Sequence, residues 1–256
     1  MNEILDLLAP LVLRFEAQLM TGVGLFSRLS ILMLMLPGIG GRMLPIQVRL
    51  ALALGLMSIL FPLVSPVESG TTGALVGLIV GEILVGLTLG FTVRILLFAL
   101  SISGAIIAQT LSLSQIFGFS AEGDSSSLLS TILTLGASTL FLTADLEIEA
   151  IRLLIGNLEA MPLGFAATLP SSDIAAEATG LAAEAIRFGI TLTLPFLVLN
   201  FAYYIILGFL NRAMPQLMIT FVGLPAVTLG GLTLLTLSIV AMLTVWLGRV
   251  AGVLGS

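Results

Sequence analysis

Long apolar runs separated by short polar segments are the dominant pattern of this chain. They cover residues 11–36, 43–64, 73–100 continuing without a breaker into 101–119, 128–143, 188–210 and 217–247. A helix rises about 1.5 Å per residue, so about 20 apolar residues cross a hydrocarbon core roughly 30 Å thick. Most of these runs reach that length. The pattern therefore predicts an all-α, multi-pass integral membrane protein, with residues 1–256 forming a single membrane-embedded domain.

The connecting segments predict where helices begin and end. Residues 144–183 are the most polar part of the chain and predict an amphipathic helix over 146–158, a turn at 161–164 and a second helix after Pro170. Residues 124–127 form a helix N-cap cluster. In the last run, Pro225 and the Gly230-Gly231 pair are expected to bend or split the helix.

Composition narrows the class of protein further. Hydrophobic residues make up 58% of the chain and charged residues 9%, whereas a soluble domain is about one quarter charged. Cys, His and Lys are absent, which removes thiolate and imidazole metal sites and most nucleophilic machinery. We therefore expect no enzymatic activity, no metal and no cofactor. The net charge of −5 without a basic stripe predicts no nucleic-acid partner.

Glu82 and Glu184 are the carboxylates that need an explanation, because acidic groups within apolar segments are costly. For Glu82, a functional role and a buried structural hydrogen bond remain equally open. For Glu184, an ion pair with Arg187 three residues later is the favoured interpretation. Gly73, Gly77 and Gly81 are spaced by four residues, and Gly86 and Gly90 repeat that spacing, which predicts close helix packing. Trp246, near the end of the last run, is predicted to be an interfacial anchor.

A polar island at residues 211–217 separates the last two apolar runs. It combines Arg212, which is costly inside a bilayer, with Pro215, which interrupts helices. The island is therefore either a turn at the membrane surface or a contact inside a protein assembly. Because basic residues favour the cytoplasmic side, the Arg42 and Arg212 turns are predicted to be cytoplasmic and the N-terminus external.

The order of these motifs resembles the FliR family of export-gate membrane proteins. The segment Arg212-x-x-Pro215-Gln216, followed by Phe221 and Gly223-Leu224-Pro225, resembles the C-terminal signature of that family. The similarity continues at the positions Phe26-Ser27-Arg28, Pro37, Pro45, Val48-Arg49-Leu50, Gly81-Glu82, Gly90-Phe91, Gly104 to Gln109, and Pro195. The resemblance covers nearly the whole chain.

The resemblance implies that the chain contributes helical hairpins to a helical, pore-forming complex in the bacterial inner membrane, within the flagellar basal body. The implied partners are FliP- and FliQ-type subunits, FlhB- and FlhA-type components, unfolded exported proteins and membrane lipid. The implied plug or constriction comprises Gln109, Gln115, Phe117, Gly118 and Phe119. The implied subunit-contact motif comprises Arg212, Pro215, Gln216 and Pro225. Buried polar positions are Arg28, Arg49, Glu82 and Arg94, which would face protein or a watery lumen.

Three functions stay open at this point. The resemblance favours a component of the flagellar type III export gate that helps to form and close the pore. A virulence-type secretion homologue of the same gate is the first alternative. An ion-coupled secondary transporter that uses Glu82 or Glu184 as proton carrier is the second, although no inverted repeat is visible. For the residues of the implied plug, a plain connecting loop remains an equally open interpretation.

Overall fold

The part of the chain that the computed structural model describes, residues 2–41, 44–67, 72–111, 127–165, 171–213 and 219–255, consists mainly of helices joined by turns and short loops. In those ranges the helices are α1 (Asn2–Met35), α2 (Ile46–Leu60), α3 (Thr72–Thr110), α4 (Ser127–Thr143), α5 (Leu146–Ala160), α6 (Ser171–Ala213) and α7 (Ile219–Leu254). A short 3₁₀ turn, Phe61–Leu63, extends α2. These ranges contain no strand.

Five of these helices are long and apolar enough to cross a membrane. The candidate spans are Pro10–Met35, Ile46–Leu63, Gly73–Thr110, Ala178–Ala213 and Pro225–Leu254. A sixth candidate is the pair Leu128–Thr143 and Leu146–Ala160, whose axes are bent by 71° at the break. The predicted all-α, multi-pass membrane protein is confirmed.

Two helices are much longer than a membrane span requires. The 39 residues of α3 measure about 58 Å and the 43 residues of α6 about 65 Å. A hydrocarbon core is about 30 Å thick, and helix tilts average only about 20°. Parts of both helices therefore extend beyond the hydrocarbon layer.

Helix boundaries follow local backbone chemistry. Gly38, just beyond α1, has φ 79°, a left-handed conformation that glycine adopts without a Cβ penalty. Pro45 immediately precedes α2, where its fixed φ suits the approach to a helix. Asp145 has φ 55° at the bend between α4 and α5, a conformation that Asp tolerates better than most residues.

The polar stretch folds largely as predicted. The amphipathic helix expected over 146–158 is α5, and it buries Leu146, Ala150 and Leu154 at four-residue spacing. The turn expected at 161–164 is present: the Phe165 amide donates to the Pro162 carbonyl over 3.1 Å. The predicted second helix is the start of α6, whose first described residue is Ser171.

Pro225 and the Gly230-Gly231 pair do not split the last run, because α7 passes through all three without interruption. The alternative, that they bend the helix, stays a prediction. Pro195 likewise lies inside α6. A proline removes one backbone hydrogen bond, whereas an apolar environment penalises every unsatisfied backbone group, so the helix continues. Residues 124–126 of the predicted N-cap cluster lie outside the described residues.

One compact unit comprises Met1–Arg94, Leu142–Gly180 and Val253–Ser256. On α1 and directly after it, four leucines at spacings of four, three and four are fully buried: Leu25, Leu29, Leu32 and Leu36. Val85 and Val93 of α3 are buried in the same unit. This stripe is the apolar face that a helix presents to its neighbours.

The second compact unit comprises Ile95–Phe141 and Leu181–Gly252. Its buried residues include Leu129, Leu133, Ala137 and Phe141, which lie four residues apart along α4. Trp246 of α7 is also fully buried there. The assignment of residues 1–256 to one membrane-embedded domain stays a prediction.

Some of the glycines allow backbones to approach closely: Gly86 belongs to the predicted series, whereas Gly104 lies outside it. A Cβ on Gly86 would lie 2.5 Å from the Arg28 carbonyl oxygen in the first unit. A Cβ on Gly104 would lie 2.6 Å from the Ser130 backbone in the second. Gly77 is different, since nothing lies within 4 Å of a Cβ placed there. The repeat is therefore a packing face over part of its length.

We predict that Gly104→Ala lowers the free energy of unfolding by about 1–3 kcal/mol, because the added methyl group meets backbone atoms that cannot rotate away. Denaturant unfolding of the purified protein in mixed micelles measures the change. Gly208→Ala is the matched control, since nothing lies within 4 Å of its Cβ position in α6. Alanine's better helix propensity should make that control neutral or stabilising by about 1 kcal/mol. Equal losses in both variants would contradict the packing role.

Candidate functional site

The first unit contains a completely buried ion pair between α1 and α3. Arg28 Nε donates to Glu82 Oε2 over 2.6 Å, and both side chains have 0% of their surface exposed. An isolated charge in this position would be strongly disfavoured, so each group requires the other as its partner. Glu82 therefore has the buried structural partner that one of its two interpretations requires.

The remaining polar atoms of the pair bind α5 and the turn that follows it. Arg28 Nη1 donates to Asn157 Oδ1 over 3.2 Å and to the Met161 carbonyl over 3.0 Å. Glu82 Oε1 accepts the Gly164 amide hydrogen over 2.9 Å. Arg28 Nη2 is buried and has no hydrogen-bond partner among the described residues. One ion pair thus joins α1, α3, α5 and the 161–164 turn.

Glycines make this arrangement possible. Gly86 lies one turn after Glu82 and lets α3 approach the backbone of Arg28. Gly164 has φ 87°, and its amide hydrogen points to the Glu82 carboxylate. A residue with a Cβ would be strained at that φ, so the turn chemistry and the ion pair depend on the same glycine.

The other two predicted polar positions in this part of the chain are partly exposed. Arg49 donates from Nη2 to the Leu44 carbonyl over 3.0 Å and has a longer contact, 3.5 Å, from Nη1 to the Gly40 carbonyl. It therefore stabilises the connection between α1 and α2. Arg94 lies in the middle of α3. The structure brings together Arg28 and Glu82, but not all four predicted polar residues.

The residues of the implied plug and contact motif are only partly described. Gln109 lies exposed near the end of α3, Arg212 lies exposed in the last turn of α6, and Pro225 is exposed in α7. The other members lie outside the described residues: Gln115, Phe117, Gly118, Phe119, Pro215 and Gln216. Both groups of residues stay predictions.

Two expectations about individual side chains are wrong. Glu184 forms its ion pair with Arg249 of α7, not with Arg187 of its own helix. Trp246 is not an interfacial anchor, because it is fully buried and its indole N–H donates to the Leu96 carbonyl over 2.9 Å. In both cases a neighbouring helix, which the sequence pattern does not reveal, supplies the partner.

Hydroxyl groups join helices of the second unit in the same way, and sequence reasoning did not find them. Ser130 Oγ donates to the Ser101 carbonyl over 2.8 Å, and Thr228 Oγ1 donates to the Leu111 carbonyl over 3.0 Å. Most Ser and Thr residues in apolar helices bond within their own helix, so composition gives no signal for such bonds. Within the described ranges, no group of three or more His, Cys, Asp or Glu side chains could hold a metal ion.

Known proteins resemble the chain over most of its length. Residues 19–253 match the family described as bacterial export proteins, family 1. The chain is also similar to the flagellar biosynthetic protein FliR of Caulobacter vibrioides, with 32% identity over 229 residues. This similarity covers 88% of the chain and 90% of the Caulobacter protein.

We predict that Arg28→Met destabilises the protein by about 3–5 kcal/mol, because it leaves the Glu82 carboxylate buried without a cation. The double variant Arg28→Met, Glu82→Met should be more stable than this single variant, since an apolar pair removes the unpaired charge. Free energies of unfolding in mixed micelles complete the double-mutant cycle.

The control for this cycle is Arg152→Ala. Arg152 pairs with Glu149 over 2.8 Å, but its side chain is 69% exposed, so the loss should stay within about 1 kcal/mol. The second single variant of the cycle is Glu82→Met. If the double variant loses as much free energy of unfolding as the two single variants together, Arg28 and Glu82 contribute to stability independently.

Proposed function

Because the chain belongs to the family of bacterial export proteins, family 1, we propose that it serves as the FliR-type subunit of a flagellar type III export gate. Its family makes it a membrane component of flagellar or type III protein export. The proposal is that it helps to form and close the pore through which unfolded substrates cross the inner membrane. The observation that carries it is the similarity to FliR over 88% of the chain.

The exposure of the apolar helices supports an assembly. Only 11% of the apolar window of α2, 17% of that of α6 and 28% of that of α7 are buried within the chain. Surface of this kind must be covered by lipid or by other apolar proteins. We propose that FliP- and FliQ-type subunits cover part of it, and that FlhB- and FlhA-type components join the same apparatus.

Helix length supports the same arrangement. α3 and α6 exceed the thickness of a hydrocarbon layer, which suits a complex that extends out of the bilayer plane. Irregular or polar backbone at such depth is tolerated where protein or a watery lumen surrounds it. We propose that Gln109, Gln115, Phe117, Gly118 and Phe119 narrow the closed lumen, with the complex placed in the flagellar basal body.

The secondary-transporter alternative is weaker because its two carboxylates are occupied. Glu82 binds Arg28 through one oxygen and the Gly164 amide through the other. Glu184 is half-exposed and paired with Arg249. A proton carrier has to exchange its proton with water during each cycle, and the fully buried Glu82 has no contact with water, whereas Glu184 is held by Arg249. A virulence-type homologue would differ from the flagellar gate in the proteins that it exports. The similarity to a flagellar relative favours the flagellar gate.

We predict that Arg212→Ala reduces the amount of FliP- and FliQ-type subunits that co-purify with the chain by about 30-fold, the size of a typical arginine hot spot. Swimming motility measures the export that follows from assembly. Arg152→Ala is the control, as an exposed arginine outside the contact motif. Normal co-purification and motility in Arg212→Ala would reduce the 211–217 island to a membrane-surface turn.

We predict that deletion of residues 115–123 makes the assembled gate leak ions, because these residues include most of the implied plug. Growth in the presence of a small permeant toxic ion, and conductance of the complex in planar bilayers, measure the leak. Deletion of residues 166–169, in another connecting segment, is the control. A membrane that stays tight without residues 115–123 would contradict the plug.

A further inference from the structure

The second unit contains a charged cavity to which the proposed function assigns no role. It is a shallow, wide-open cavity between α6 and α7, with a volume of about 540 Å³. Its lining consists of Glu184, Arg187, Phe188, Thr191, Val245, Gly248 and Arg249. Two arginines and one glutamate give this lining a net charge of +1. In a chain with nine basic residues and a net charge of −5, two arginines on one cavity are a marked local excess.

The chemistry of the lining is suited to a phosphate. A guanidinium group donates hydrogen bonds in a planar fork that matches two phosphate oxygens. Arg249 uses Nη2 to bind Glu184, and its other nitrogens remain for a ligand. The Thr191 hydroxyl already donates to the Arg187 carbonyl over 2.8 Å, so the guanidinium groups are the strong donors in the cavity.

The position along the helices places this cavity at a membrane surface. Residues 188–211 of α6 and residues 219–248 of α7 contain no charged side chain. From Arg187 to Arg212 the helix rises about 37 Å, which is somewhat more than a hydrocarbon core. If Arg212 lies at one interface, the cavity therefore lies at the opposite one, at the depth of the lipid headgroups.

The cavity also continues into an apolar surface. Phe188 and Val245 form part of its wall, and Val245 is 55% exposed. One and two turns beyond Thr191, the same side of α6 carries Pro195 and Val198, both exposed. A free anion would make no use of this surface, whereas an acyl chain would lie against it.

We propose that this cavity binds the phosphate of an anionic phospholipid, with Arg187 and Arg249 as its donors and the acyl chains lying along α6. Basic pockets between transmembrane helices hold anionic headgroups on this principle. Glu184 orients Arg249 and lowers the net charge of the site from +2 to +1. The lipid thereby seals the opening between α6 and α7 at this surface.

The test is lipid retention by the full-length protein, measured by native mass spectrometry after release from nanodiscs of equal phosphatidylglycerol and phosphatidylcholine content. Wild type should retain phosphatidylglycerol preferentially. The double variant Arg187→Gln, Arg249→Gln should retain about 25-fold less, about fivefold for each charge removed. Arg152→Gln is the control, since that arginine lies on α5 outside the cavity.

A second variant should change phosphatidylglycerol retention in the opposite direction. Glu184→Gln raises the charge of the cavity from +1 to +2 and should increase phosphatidylglycerol retention about fivefold. This variant keeps the test decisive even if the double variant fails to fold. Circular dichroism and size-exclusion chromatography establish folding for each variant.

Three results would overturn the proposal. Equal phosphatidylglycerol retention in wild type and in a folded double variant would remove the role of the arginines. Displacement of the lipid by millimolar inorganic phosphate would make the cavity a site for a free anion. A photo-crosslinker at position 191, used in cells, that yields protein adducts without lipid adducts would make this face a protein contact.

Discussion

The requirement that every buried charge find a partner inside the protein governs the first unit of this structure. Arg28 and Glu82 have no exposed surface, and few other polar groups are available in a chain with so apolar a composition. Their mutual bond is accompanied by bonds to Asn157, the Met161 carbonyl and the Gly164 amide. Since a buried charge without compensation costs several kcal/mol, the positions of α1, α3 and α5 depend on one another.

In the second unit, the buried polar groups that join neighbouring helices are neutral hydrogen-bond donors. Ser130 and Trp246 each donate to a backbone carbonyl of α3, and Thr228 donates to the carbonyl of Leu111, directly after α3. Gly104 allows the approach of α4 that brings the first of these groups within reach. Interhelical hydrogen bonds of this kind are individually modest, so close packing has to contribute much of the stability.

The contacts within each unit leave much of the apolar helix surface exposed, and this surface is available for association with lipid or other proteins. The least buried helices, α2, α6 and α7, are apolar over most of their length, and two of the motif residues, Arg212 and Pro225, are exposed. A surface of this kind is stable only in contact with lipid or with other membrane proteins. Membership of an export family and an unburied apolar surface therefore agree: the chain is one part of a larger membrane assembly, and its fully buried charges, Arg28 and Glu82, are paired within the chain.

The sequence by itself determined the class of protein, because apolar run length and the near absence of charge admit only membrane helices. It also determined α5, whose apolar residues recur at helical spacing, and the turn ending at Gly164. Only the tertiary structure decided the partners. It paired Glu82 with Arg28, which is 54 residues away, and Glu184 with Arg249. In the structure Trp246 is fully buried, and α7 continues without interruption past Pro225. Periodicity describes one helix at a time, whereas partners and burial depend on which faces of two helices meet.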